Sequence, residues 1–166
     1  HSTGLISAIV QMNQGQDLKE TKLRTPTDFC IGATVDLGRG LEAEAKLTHR
    51  KVLAGADFLI TQPISDVAEA AGLAREYRSA AGEMLSIPVF YGLQILEQDG
   101  VIFNSVPQDV RQQLEAGRSG VEIALELYRS FLANGIHNVY LVPPIRRGGA
   151  RNYGAAQEFL IQAKKS

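Results

Sequence analysis

Apolar residues recur at helical spacing in the opening segment: Leu5, Ile6, Ile9 and Met12 lie behind Thr3 and ahead of Gly15. That stripe predicts a helix over about residues 4–13. A polar stretch over residues 16–28, with Pro26 inside it, reads as loop. Phe29-Cys30-Ile31-Gly32-Ala33-Thr34-Val35 is almost wholly apolar, as suits a strand buried on both faces of a parallel sheet. Residues 36–40 form a glycine-bearing loop, and residues 41–54 read as a helix with Gly55 at its C-cap position. Asp57 to Thr61 is a second strand. Ser65 caps a helix running to about Ala81, with Gly82 ending its stripe. Ile87 to Tyr91 is a third strand. After an irregular stretch, Ser105 and Pro107 start a short helix. Val121, Ala124, Leu125, Tyr128, Phe131 and Leu132 make the apolar face of another. Val139 to Val142 is a fourth strand, and residues 152–164 close the chain as a helix.

A helix followed by four strand–helix units is α/β repetition. No linker, repeat or low-complexity segment divides the chain, so residues 1–166 read as one domain. Four parallel strands suit a small open sheet, or equally half of an eight-stranded (β/α)₈ barrel, which takes about 250 residues. In both, ligands gather at the C-terminal ends of the strands. That rule selects the loops over residues 36–40, 62–65, 92–98 and 143–151.

Composition narrows the function classes. Hydrophobic residues make up 45% and charged residues 21% of the 166, as in globular domains. Seventeen basic against eighteen acidic side chains leave a formal charge of -1, which argues against a nucleic-acid partner. No apolar run approaches the roughly 20 residues of a membrane span. The single cysteine, Cys30, excludes an intrachain disulfide and points to a reducing cytoplasm. Cys30 sits in a buried-type strand and is expected to be an inert core thiol. His49 and His137 have no second ligand at metal spacing, so no metal site is expected.

Among polar residues, Gln62 follows Thr61 at the tip of the second strand, where an amide offers both a donor and an acceptor to a heterocycle edge. Arg50 and Lys51 end a helix, where compensation of the helix dipole is the ordinary explanation. Glu44 lies nearly two turns earlier, near the same face. Arg146-Arg147-Gly148-Gly149-Ala150-Arg151 runs into the last helix, an arrangement suited either to an anion site or to a solvated basic loop. Asp36 and Asp66 stand at loop positions that supply acids, bases or, more commonly, turn caps.

Several of these segments resemble one family. Thr27-Asp28-Phe29-Cys30-Ile31-Gly32-Ala33, and above all the stretch from Arg50 and Lys51 through Ala54-Gly55-Ala56-Asp57-Phe58 to Ile60-Thr61-Gln62, look like the methylenetetrahydrofolate reductase pattern. Met12-Asn13-Gln14-Gly15 is similar to the bacterial branch fused to homocysteine methyltransferases. Weaker similarity continues through residues 88–92, 120–132 and 139–143. It covers nearly the whole chain, but only from the fourth helix of the family's barrel onward.

The resemblance implies the C-terminal portion of a (β/α)₈ TIM barrel, with FAD as cofactor. The implied reaction is reduction of 5,10-methylenetetrahydrofolate to 5-methyltetrahydrofolate by NAD(P)H. It places Ser2, Glu44, Arg50 and Lys51 at FAD-contacting positions, with Lys51 near the phosphates, and it places Gln62 and Arg146 at folate-contacting ones. The family's catalytic acid and its Arg-Gly-Asp-type loop would precede residue 1. The chain is therefore expected to be cut from something longer, to be inactive alone, and to need the N-terminal half of the barrel or to form a homo-oligomer.

There are departures. Where the family has Tyr-Pro-x-x-His-Pro, this chain reads Asp36-Leu37-Gly38-Arg39-Gly40. Leu47 stands at a commonly polar FAD contact, Ile95 replaces a proline, and Val142-Pro143-Pro144-Ile145-Arg146 replaces Tyr-Thr-Leu-Asn-Arg. A binding module of a methyl-transfer complex without reductase activity is the alternative. A barrel enzyme that uses the arginine-rich loop for a phosphorylated substrate is a third reading.

Overall fold

A computed structural model describes residues 2–165. Four strands, β1 (Gly32–Val35), β2 (Phe58–Pro63), β3 (Val89–Gln94) and β4 (Val139–Val142), form one parallel sheet in the order β1-β2-β3-β4. The helices are α1 (Ser2–Asn13), α2 (Leu41–Leu53), α3 (Val67–Ala81), α4 (Gln108–Glu115), α5 (Gly120–Ala133) and α6 (Tyr153–Ala163). A single turn of 3₁₀ helix, Leu37–Arg39, occupies the loop expected after β1. The α/β expectation holds at this level. The chain forms two compact units, one of His1–Ile60 with Gly72–Val89, the other of Thr61–Ala71 with Phe90–Ser166.

In the first unit α1 and β1 both pack on α2. Gly55 takes φ 103°, and a Cβ there would come within 2.5 Å of Val10, so only glycine lets the end of α2 meet α1 this closely. Strand β1 is shorter than the apolar run suggests and alternates instead of being buried on both faces: Ala33 and Val35 are buried while Gly32 and Thr34 are exposed. Ahead of it, Phe29 and Cys30 are exposed, so Cys30 is not a core thiol. An apolar run reports attraction to an interior without saying which residues reach one. Here Asp57 caps the strand entrance, accepting from the Ile31 amide at 2.7 Å.

In the second unit β3 and β4 pair in register, with Gly92 opposite Tyr140. Helix α5 packs on β3 through Phe131 against Tyr91, with ring centroids 6.5 Å apart. It meets α6 through Tyr128 and Phe159 at 5.7 Å. The caps are local: Ser119 accepts from Val121 N at 3.2 Å and Asn152 from Ala155 N at 3.1 Å. Among the described residues no helix is long and apolar enough to cross a membrane.

Candidate functional site

In the first unit the residues implied as flavin contacts separate into two kinds. Ser2 and Arg50 are exposed. Lys51 and Glu44 are buried, at 4% and 2% exposure. Seven residues make two helical turns, which puts both on one face of α2. The Lys51 ammonium donates to Glu44 Oε1 at 3.0 Å and to the Thr34 carbonyl of β1 at 2.6 Å. Between them Thr48 is fully buried, and its Oγ1 has no hydrogen-bond partner among the described residues. So arranged, Lys51 and Glu44 neutralise each other and tie α2 to β1. With both charges taken up by each other, these positions do not fit a cofactor diphosphate.

The second unit contains three of the four strand-end loops. On β2, Thr61 is buried and Gln62 half-buried, facing opposite sides. The Gln62 amide has no hydrogen-bond partner among the described residues. The backbone on either side of it is held firmly. Pro63 has no N–H, and the next amide, Ile64, donates to Gly92 O at 3.0 Å. Thr61 Oγ1 accepts from Gly92 N at 3.1 Å, and Thr61 O accepts from the Tyr140 hydroxyl at 2.6 Å. Burial raises the Tyr140 pKa, so that hydroxyl remains a donor at neutral pH.

Arg146 is largely exposed and donates through Nε to Glu97 at 3.2 Å. Asn152 Nδ2 donates to the same carboxylate at 2.7 Å. The Asn152 bond above all, with help from Arg146, holds the Glu97 pKa below the usual carboxylate value. Glu97, Gln98, Asp99, Arg146 and Arg147 line an open depression of about 440 Å³. The glycine loop itself closes as a tight hairpin: Arg146 N donates to Ala150 O and Gly149 N to Arg146 O. The hairpin thus spends the Arg146 and Gly149 amides, and the Ala155 amide at the start of α6 is taken by the Asn152 cap. Asp36 and Asp66 likewise act as turn caps, accepting from Gly38 N and Ala68 N.

A second cavity, of about 260 Å³, lies between α4, α5 and the loops after β2 and β3. Ile123, Leu127 and Ser130 of α5 line it, with Val110 of α4 and Gln94 of β3. Gln94 is spent on the backbone, donating to Val101 O and accepting from Phe103 N. Gln62 does not line this cavity. Among the described residues no group of three or more His, Cys, Asp or Glu could hold a metal ion.

The structure thus brings together Arg146, Glu97 and Asn152 at one strand-end cluster, and Gln62, Thr61, Gly92 and Tyr140 at another. Tyr140, Glu97 and Asn152 escape the sequence reading. Gly92 carries no signal of them in the sequence, where it follows the predicted third strand; only the extension of β3 to Gln94 puts it inside a strand, where a glycine marks a close approach by another group.

No protein-family model matches the chain, and comparison with curated proteins finds no match. Among solved structures, it is similar to one described as an uncharacterized protein from Clostridium thermocellum that binds two copies of 5-methyl-5,6,7,8-tetrahydrofolic acid. The TM-score is 0.57 at 16% identity, over 80% of this chain and 52% of that one. At this identity the likeness shows the fold alone. The chain spans about half the length of that structure.

Proposed function

We propose that the chain is the C-terminal portion of a (β/α)₈ barrel that binds a reduced folate at the C-terminal ends of its strands, with Gln62 against the pterin. The observation that carries this is the end of β2. There a half-buried amide with no hydrogen-bond partner among the described residues stands on a backbone fixed by Thr61, Ile64, Gly92 and Tyr140. An amide so placed supplies the donor and acceptor that a pterin edge requires. The sheet order supports the barrel: four strands laid down in chain order without reversal wind one way, as a barrel does, whereas a doubly wound sheet reverses direction. The fold shared with a protein that binds methyltetrahydrofolate supports the ligand class.

The sequence resemblance extends the reading, in a complete barrel, to flavin-dependent reduction of 5,10-methylenetetrahydrofolate by NAD(P)H. Lys51 and Glu44 lend that extension no support, because each is taken up by the other. Calorimetric titration of the intact protein with 5-methyltetrahydrofolate tests the reading. We expect saturable binding that Gln62→Glu weakens by about 1–3 kcal/mol, since Glu loses the donor NH₂ and brings in a charge. Absence of binding, or equal binding by the variant, removes Gln62 from a folate site. Flavin absorbance of the purified protein, at equal folate affinity, separates a reductase from a binding module.

A further inference from the structure

We infer that Tyr140, which neither composition nor the resemblance singles out, is a positioning residue for this site; the inference rests on the folate reading. Tyr140 lies on β4, opposite Gly92 of β3. Its ring crosses β3 to reach β2, where its hydroxyl donates to the Thr61 carbonyl at 2.6 Å. The crossing is possible only because residue 92 has no side chain. A Cβ there would lie 2.6 Å from the Tyr140 hydroxyl, 2.8 Å from its ring carbon and 2.9 Å from Pro63 Cα.

The bond is placed where it matters. The Thr61 carbonyl belongs to the peptide that joins Thr61 to Gln62. On the far side of Gln62, Pro63 offers no amide, but its carbonyl accepts from Asn104 Nδ2 at 3.2 Å, and the Ile64 amide donates to Gly92 O. Gln62 therefore sits near the end of β2 between Thr61, held by Tyr140 and Gly92, and Pro63 and Ile64, held by Asn104 and Gly92. The Gln62 side chain makes no bond of its own to the described residues. Its direction is set by that peptide. Removing the hydroxyl takes away the side-chain donor to that carbonyl and loosens the peptide, so the amide meets the pterin less well oriented.

Tyr140→Phe keeps the ring over Gly92 and deletes only the donor. We expect it to weaken 5-methyltetrahydrofolate binding about tenfold, the equivalent of one lost hydrogen bond, with the circular dichroism spectrum unchanged. The distinguishing measurement is the same substitution in a Gln62→Ala background. There it should change affinity less than about twofold, because a residue that acts through Gln62 has nothing left to orient. Parent-like affinity in Tyr140→Phe overturns the inference. So does a tenfold loss that persists undiminished in the Gln62→Ala background, which would mean direct contact or a general loosening of the fold. If the parent protein fails to bind the folate, the folate reading itself falls and takes this inference with it.

Discussion

Lys51 carries its charge into the packed face between α2 and β1 and meets Glu44 there, with side-chain exposures of 5% and 3%. Removing one partner of such a pair leaves an uncompensated buried charge, whereas removing both does not. Lys51→Ala should therefore destabilise the protein by about 3–5 kcal/mol, and Lys51→Met combined with Glu44→Leu should cost much less. Urea unfolding of the three proteins measures this. A loss below about 1 kcal/mol for Lys51→Ala would show that the pair is not closed in solution. The sequence held half of this result. A separation of seven residues puts Glu44 and Lys51 on one face of α2, and the resemblance drew attention to both positions. It did not reveal that this face turns toward β1, because that depends on where the Thr34 carbonyl lies. For Gln62 the reverse holds: a polar residue ending an apolar strand is conspicuous in the sequence, and the structure adds the scaffold that holds it.

At the level of elements, most of the chain is legible. Helices α2, α5 and α6 fall within a residue or two of the limits their apolar stripes predict, and β4 matches Val139 to Val142. The strand ends do less well. β2 runs on to Pro63 and β3 to Gln94, past the apolar runs, because bonds from partners distant in sequence continue the pairing. The same kind of bond joins the loops after β3 and β4. Glu97 accepts from Arg146 and Asn152, and these contacts hold its pKa below the ordinary value near 4.3. A carboxyl whose pKa is depressed by folding stabilises the fold above its unfolded pKa. That stabilisation is lost as pH falls through the folded value. The hairpin at Gly148 and Gly149 should thus loosen below about pH 4 and be unaffected between pH 6 and 8. Amide exchange at these glycines would register it, and Glu97→Gln should flatten the acid response. A response centred near neutrality would point to a different group.

For the whole molecule, the exposed apolar side chains are the main fact. Phe29 is 53%, Leu160 51% and Ile161 51% exposed. Leu160 and Ile161 are neighbours on α6, and half a barrel would in addition leave strand edges uncovered, both of which favour self-association. The 166-residue chain alone should sediment as oligomers at micromolar concentration, and a monodisperse monomer with a cooperative melt would count against the half-barrel reading. Strand order has a different consequence. Because β1 to β4 lie in the sheet in the order in which they occur in the chain, a ribosome releases each strand just as its neighbour becomes available for pairing. Each strand can pair with the one before it, across a crossover of about 20 to 45 residues that carries its helix or helices. Such a sheet can lengthen during translation one unit at a time.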